Sequence, residues 1–320
     1  MKIVGYILGG IVLLFIVAVL GLWLAYRAPD LGWEELEGRY ARPTSRYADI
    51  GDGIRVHYLD AGKADGPPVV LIHGFGDNAL SWDGWTKVLG RDHRVLSVDL
   101  VGHGLTRAPA DFVASPDRLA DVIDAWAGKI GLPRFAVAGN SLGGGVAWQL
   151  AVRHPARVGQ LILVDAAGWP MPPSKEPPPL AFRIMQYKLG RDLIASIDST
   201  PLIREGLRKD VGDPAVITEP FIARWAALQR APGHRPILMS LSPGKVAASK
   251  EVLSAIKVPT LILWGEVDPI IKVESGHKFA EAIPGSKLIV YPGIGHLPQI
   301  ENPEQSAGDV AAFLAPQPGR

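Results

Sequence analysis

The sequence predicts an open, mostly parallel α/β sheet with an inserted helical cap. Short apolar runs rich in β-branched residues follow one another along the chain, and most are continuously apolar rather than alternating with polar residues. Such runs are typical of parallel strands buried on both faces, and several intervals between them are long enough for a crossover helix. One interval, from Asp165 to Val258, is about 90 residues long and contains no convincing strand. We expect it to form the cap, because ordinary connections are much shorter.

Seven runs carry the strand pattern and are bounded by turn residues. In chain order they are Ile54 to Leu59, Val69 to Ile72, Val95 to Val98, Phe135 to Ala138, Leu161 to Val164, Leu261 to Trp264 and Leu288 to Tyr291. The stretch before them, Arg27 to Arg46, is polar and contains Pro29 and Pro43. We predict that it is a linker.

These observations divide the chain into a core and an insertion. We expect residues 47–168 and 258–315 to form the α/β core and residues 169–257 to form the cap. A proline cluster stiffens the beginning of the cap, and helical periodicity follows at Leu180 to Leu193 and at Phe221 to Gln229. The predicted cap is therefore helical.

The composition excludes several partners and chemistries. The 320 residues are 48% hydrophobic, which is enough for a large buried core. The 33 Lys and Arg nearly balance the 32 Asp and Glu, so we expect no basic surface and no nucleic-acid partner. The absence of cysteine removes disulfides, thiolate metal sites and a cysteine nucleophile. The spacing of the histidines does not fit a metal site, so we predict no metal.

The N-terminal segment predicts a single membrane span. Ile3 to Tyr26 contains no charged residue, and as a helix it would reach roughly 36 Å, which exceeds a bilayer core of roughly 30 Å. Trp23 and Tyr26 stand where an interfacial aromatic belt is expected. The run ends without a small-residue cleavage site, which favours an uncleaved anchor in the lipid bilayer. The flanking charges do not decide its orientation, but the short leading segment is typical of a signal anchor and places the remainder outside the cytoplasm.

Ser141 is the predicted nucleophile. It lies in Gly139-Asn140-Ser141-Leu142-Gly143, between the buried strand that ends at Ala138 and a helical segment. The strand, G-x-S-x-G and helix order requires a sharp turn, which glycine permits and which projects the serine hydroxyl above the sheet edge. A nearby helix N-terminus also favours an oxyanion.

A neutral serine needs a base, and that base needs a carboxylate to hold its tautomer. His296 follows the seventh predicted strand and is the predicted general base. Asp268 follows the sixth and is the predicted acid. Asp165 also ends a strand and is the main alternative acid, while Glu266 is a weaker one. The order Ser, Asp, His with each residue in a loop after a strand matches a known triad layout.

The turn after the second predicted strand supplies an oxyanion hole. His73-Gly74-Phe75-Gly76 has the glycines that let backbone N–H groups turn towards the serine. We predict that the backbone N–H groups of Phe75 and Leu142 bind the oxyanion. The side chain of His73 is expected to be structural.

From about Tyr47 to Leu314 the chain resembles the α/β-hydrolase superfamily. The resemblance rests on the HGFG turn, the segment from Asp99 to Thr106, the GNSLGG turn at Ser141 and the loops of Asp268 and His296. It implies an α/β-hydrolase fold, no cofactor, an acyl-serine intermediate and a cap that sets substrate choice. The chain looks most like bacterial esterases and lipases with an N-terminal anchor, which implies the bacterial inner membrane.

The expected activity is hydrolysis of a small apolar carboxylic ester. Carbon–carbon hydrolases of ring-cleavage products are the alternative, since they are similar at Gly139-Asn140-Ser141 and also have a cap. They differ at Leu297, where they typically have tryptophan, and at Phe75, where they have a more glycine-rich turn. A non-catalytic binding protein on the same fold is the second alternative, because fold alone does not fix function. The sequence leaves the oligomeric state open.

Overall fold

A computed structural model of the protein describes residues 10, 13, 14, 17–21, 23–170 and 187–315. Eight strands form one sheet in the order β1-β2-β4-β3-β5-β6-β7-β8. The strands are Ser45–Gly51 (β1), Ile54–Gly62 (β2), Pro68–Ile72 (β3), Arg94–Val98 (β4), Phe135–Asn140 (β5), Val158–Val164 (β6), Thr260–Gly265 (β7) and Lys287–Tyr291 (β8). β1 and β2 pair antiparallel with their neighbours, and all other pairs are parallel. The predicted mostly parallel sheet is confirmed.

Helices cover both faces of this sheet. Those described over their whole length are Trp33–Tyr40 (α1), Asp83–Leu89 (α2), Pro116–Lys129 (α3), Leu142–Arg153 (α4), Lys188–Ser196 (α5), Thr200–Lys209 (α6), Glu219–Gln229 (α7), His234–Met239 (α8), Lys250–Leu253 (α9), Val273–Ala282 (α10), Pro298–Glu301 (α11) and Pro303–Leu314 (α12). Local signals start several of them: the side chain of Ser115 caps α3, and that of Thr218 caps α7.

The alternation of side chains along the central strands builds two separate cores. Ile72 of β3 points into a cluster that contains Trp126 of α3 and Phe279 of α10. Its neighbour Leu71 points to the opposite face, into a cluster that contains Trp85 of α2. Because both faces of the sheet are covered, its strands are continuously apolar, as the sequence pattern indicated.

In the long interval between β6 and β7, the residues that the structure describes contain five α-helices, α5 to α9. Helix α7 includes the predicted helical segment from Phe221 to Gln229. Of the predicted segment Leu180 to Leu193, residues 180–186 lie outside the described residues, and the described helix is α5. Side chains of α6 and α7 form an apolar cluster that also contains Leu297 of the core. The insertion therefore packs onto the loop that carries His296.

The segment Arg27 to Arg46 differs from the predicted linker. It contains α1 and the first residues of β1, and Leu36 of α1 is fully buried in a cluster with residues of α7. The backbone N–H of Ala28 donates to the carbonyl of Ser196 at 2.8 Å. Proline and charge suggested an open linker, but the segment buries one face of α1 against the insertion.

The predicted membrane span lies partly outside the described residues, which omit positions 1–9, 11, 12, 15, 16 and 22. Its described residues are helical, and Leu13, Leu14 and Val17 are exposed. Within the described part of the chain, no helix combines the length and the apolar character needed to cross a membrane.

Candidate active site

Ser141 stands alone at the turn between β5 and α4. The strand ends at Asn140 and the helix begins at Leu142, so one residue makes the whole reversal. Its φ of 52° and ψ of −117° are rare for a residue with a side chain. Such backbone strain persists only where the surroundings enforce it, and it is concentrated at functional sites.

Close backbone contacts require both glycines of the turn. A β-carbon on Gly139 would lie 2.1 Å from the carbonyl oxygen of Gly143. One on Gly143 would lie 2.1 Å from the carbonyl oxygen of Ile72. These obstacles are backbone atoms, which cannot rotate away as a flexible side chain would. Only glycine fits at either position.

The structure brings Asp268 and His296 together from two separate loops. The Nδ1 atom of His296 lies 2.7 Å from the Oδ2 atom of Asp268, and both side chains are buried. The other oxygen of Asp268 accepts hydrogen bonds from the backbone N–H groups of Ile270 and Ile271, at 2.7 and 3.0 Å. These backbone hydrogen bonds fix the orientation of the Asp268 carboxylate independently of the imidazole. Such a fixed carboxylate is what selecting one tautomer of the histidine requires.

The two alternative acids occupy different places. Asp165 is fully buried, and its Oδ1 atom accepts a hydrogen bond from the backbone N–H of Gly265 at 2.9 Å. It lies beside Asp268, but the imidazole bonds to Asp268. Glu266 is exposed and accepts a hydrogen bond from the backbone N–H of Gly293 at 3.2 Å. The contact with His296 therefore favours Asp268 over both.

The predicted oxyanion turn crosses directly above the serine. A β-carbon on Gly74 would lie 3.2 Å from the β-carbon of Ser141. The ring of His73 braces this turn: Nδ1 lies 2.7 Å from the carbonyl oxygen of Gly74, and Nε2 accepts a hydrogen bond from the backbone N–H of Leu100 at 3.1 Å. These bonds fit the structural role expected for His73. Phe75 and Ser141 line the same cavity.

Two further residues tie the loops together, and the sequence analysis did not identify either role. The side chain of Asn140 donates to the carbonyl oxygens of Val164, at 3.3 Å, and of His296, at 3.0 Å. The carboxylate of Glu301 accepts hydrogen bonds from the backbone N–H groups of Gly212, Gly295 and Leu297. Asn140 stands inside the nucleophile motif, so its position was a usable signal. The sequence contained no comparable signal for Glu301, because its partners are backbone N–H groups of loops and no residue type marks them.

The insertion contributes directly to the histidine loop. The backbone N–H of His296 donates to the carbonyl oxygen of Asp210 at 2.7 Å, and Asp210 lies at the end of α6. A β-carbon on Gly295 would lie 2.5 Å from that same carbonyl oxygen. The cap and the histidine loop therefore fit together closely enough that the cap helps to set the position of His296.

A cavity of about 350 Å³ connects these elements. Its described lining consists of Gly74, Phe75, Asn140, Ser141, Ile203, Gly206, Leu207, Asp210, Trp225, Gln229, Ile270, His296 and Leu297. Apart from His296, the lining formed by the described residues contains one titratable side chain, Asp210, and no lysine or arginine. Burial raises the pKa of Asp210, while the nearby imidazole opposes that shift. The cavity is thus apolar, with one acidic group and the serine–histidine pair at its wall.

The family follows from comparison with known proteins. Residues 69–309 match the model of the alpha/beta hydrolase family. That stretch is well over half of the chain, so the protein belongs to this family, and the predicted resemblance is confirmed. The α/β-hydrolase fold class of the core is therefore established.

Similar proteins include ring-cleavage product hydrolases and lipases. The chain is 30% identical over 291 residues to a 2-hydroxy-6-oxo-6-(2'-aminophenyl)hexa-2,4-dienoic acid hydrolase of Metapseudomonas resinovorans, covering 88% of this chain and 93% of that protein. It is 29% identical over 271 residues to Lipase 1 of Psychrobacter immobilis, covering 82% of each. The solved structure of a bacterial membrane phospholipase A superposes with a TM-score of 0.66 at 26% identity, covering 98% of both chains.

Proposed function

We propose that this protein hydrolyses carboxylic esters with an apolar acyl or alkyl group. Ser141 acts as nucleophile, His296 as general base and Asp268 as the acid that orients the histidine. One observation carries the proposal: Ser141 and His296 line one apolar cavity, and Asp268 holds the far side of the imidazole at 2.7 Å. This is the geometry that nucleophilic acyl transfer needs.

The reaction proceeds through two half-reactions, and in each of them His296 first accepts a proton and then donates it. Ser141 Oγ attacks the ester carbonyl carbon while its proton passes to His296 Nε2. The backbone N–H groups of Phe75 and Leu142 bind the oxyanion, and each such donor is commonly worth roughly 10²- to 10³-fold in rate. The tetrahedral intermediate collapses as the alcohol leaves with the proton. His296 then deprotonates a water molecule that attacks the acyl carbon, and it returns this proton to Ser141 Oγ as the bond to the acyl group breaks and the acid leaves.

The character of the cavity favours a neutral ester over a dienoic acid. A substrate of the second kind carries a carboxylate, which has to be matched by a cation or by several donors when it is removed from water. The described lining offers no lysine or arginine and adds the carboxyl group of Asp210. An anionic substrate would therefore lose its hydration without gaining a cationic partner from the described lining, whereas an apolar acyl chain gains from burial.

Carbon–carbon bond hydrolysis is the second candidate, and a specific observation supports it. The relative named as a dienoic acid hydrolase is matched over 93% of its length at 30% identity. The same nucleophile, base and acid could serve that reaction. The two candidates differ in the charge that the cavity must accept, so substrate charge is the property to test.

The test compares esters matched in length but not in charge. We expect turnover of p-nitrophenyl butyrate and longer esters, and poor turnover of p-nitrophenyl hemisuccinate and of a ring-cleavage dienone. Asp210→Asn should reduce the ratio of butyrate turnover to hemisuccinate turnover by at least about tenfold, because it removes a charge of the same sign as that of hemisuccinate. Ser141→Ala is the control for background hydrolysis. Turnover of the dienone alone would overturn the ester proposal, and no turnover of any substrate would favour a binding protein.

We further propose that Ile3 to Tyr26 anchors the enzyme in a bilayer with the catalytic domain outside the cytoplasm. The uncharged run and the exposed apolar side chains of Leu13, Leu14 and Val17 support this. Deleting residues 1–22 keeps Trp23, whose indole N–H donates to Ser196 at 2.8 Å, and should release active enzyme from membranes. Extraction of the full chain by carbonate would refute the anchor. Protection of the domain from protease in spheroplasts would refute the orientation.

A further inference from the structure

Four carboxyl groups surround His296, and they come from four different parts of the chain. Asp268 bonds to the ring, and Asp165 follows β6 in the same buried layer. Asp210 ends α6, and Glu301 ends α11. Within the described residues, no lysine or arginine forms a salt bridge with any of the four, although arginine and lysine pair with acids elsewhere on the protein. So much negative charge around one imidazole calls for a proton on at least one of these groups.

Asp268 has the bonding pattern of an ionised carboxylate. One oxygen accepts two backbone N–H groups and the other accepts the ring N–H of His296. Three donors converging on one carboxylate stabilise its charge. The proton therefore belongs on a different member of the cluster.

Asp165 has the opposite pattern. It is fully buried, and only one of its oxygens accepts a hydrogen bond, from Gly265 at 2.9 Å. Among the residues that the structure describes, its Oδ2 atom has no hydrogen-bond partner. One oxygen each of Asp165 and Asp268 and a ring nitrogen of His296 all lie within 4.8 Å of one another. Burial raises the pKa of Asp165 well above its ordinary value, and the charge of Asp268 acts in the same direction.

We propose that Asp165 is a neutral carboxylic acid whose O–H donates a hydrogen bond to Asp268, so that it acts as a positioning residue for the triad acid. The pair then carries one negative charge and shares one proton. Asp268 gains a fourth donor, which keeps it aligned with His296 and withdraws part of its charge. The inference rests on the proposed role of Asp268 and assigns Asp165 a task other than replacing it.

The matched variants are Asp165→Asn and Asp165→Leu. The amide of asparagine reproduces a protonated carboxyl, with an oxygen towards Gly265 and an N–H towards Asp268. We expect Asp165→Asn to keep kcat within about tenfold and the acid limb of the kcat/KM profile within about half a pH unit. Leucine has similar volume but cannot donate, so Asp268 keeps its full charge. His296 then takes up a proton more readily, and the acid limb should move to higher pH.

Two results of the pH profiles would overturn the proposal. If Asp165 were ionised, asparagine would remove a charge from beside His296, and the acid limb would move to lower pH by more than about one unit, as expected for charges about 5 Å apart. If Asp165 were neutral but did not donate to Asp268, the leucine variant would keep the wild-type limb.

A spectroscopic measurement tests the proton directly and does not depend on activity. The infrared difference spectrum of wild type minus Asp165→Asn at neutral pH should contain the C=O stretch of a protonated carboxyl, and its absence would refute the neutral acid. Because this measurement uses only wild type and Asp165→Asn, it tests the proposal even if the Asp165→Leu variant does not fold. If the proposed triad were wrong but Asp165 were still a neutral acid, Asp268→Asn would keep its activity and the infrared band of the protonated carboxyl would remain.

Discussion

Replacing Asp268 by asparagine separates orientation of the base from binding of the substrate. In the native site Asp268 Oδ2 accepts the Nδ1 proton of His296 at 2.7 Å, which leaves Nε2 free to take the serine proton. The asparagine oxygen can still accept the backbone N–H groups of Ile270 and Ile271, so the loop should keep its shape. The amide N–H₂ then faces Nδ1 and selects the tautomer whose proton is on Nε2. That tautomer cannot act as the base.

The expected loss follows from this tautomer change. We expect kcat to fall by a factor on the order of 10⁴, as for the same substitution in a serine protease triad. This corresponds to about 5.4 kcal/mol of transition-state stabilisation. KM for p-nitrophenyl butyrate should change by less than about threefold, because Asp268 does not line the cavity.

The assay is steady-state hydrolysis over a range of butyrate concentrations, with thermal melting to verify folding. Glu266→Gln is the matched control, since Glu266 is an exposed acid of the same loop and should lose little activity. A loss below about tenfold for Asp268→Asn, with a larger loss for Asp165→Asn, would place the functional acid at the end of β6 and refute the assignment.

Two further predictions concern stability. Gly143→Ala should cost about 3 kcal/mol or more in the free energy of unfolding, because the new β-carbon would meet a backbone oxygen at 2.1 Å. The control in urea melts is Gly145→Ala, whose β-carbon would lie 3.4 Å from the nearest atom. Equal stability of the two variants would contradict the argument. Burial opposes ionisation of Asp99, but hydrogen bonds from His57 and from the backbone of Leu105 lower the pKa of Asp99 in the folded protein. The contribution of Asp99 to stability is therefore present above about pH 4, the pKa of an unfolded aspartate, and is lost as the pH falls through the lower pKa of the folded state. Asp99→Asn should cost about 3 to 5 kcal/mol at neutral pH and weaken this acid dependence, and unfolding curves parallel to wild type across pH would refute it.

The sequence alone identified the features that depend on local chemistry. Strands β3, β5, β6 and β7 were predictable because burial on both faces requires continuous apolar runs, which are visible without any partner. The turn at Ser141 was predictable because the order of strand, G-x-S-x-G and helix is a local motif, and the obstacle to a side chain at Gly139 is the backbone of Gly143, four residues later. The loops of Asp268 and His296 were predictable because parallel strands place their carboxyl ends at one edge. For these features, residues near each other in the chain carry the information.

The remaining features depend on contacts between distant residues, and only the tertiary structure decided them. Leu36 is buried by the insertion, so a segment that looked like a linker is packed in place. The bond from Asn140 to His296 joins residues 156 positions apart. Periodicity also does not reveal the relation of Asp165 to Asp268, or that Asp210 is the one acid in the described part of the cavity lining. Burial and charge balance belong to the assembled site, because a side chain's desolvation and its neighbours exist only after folding.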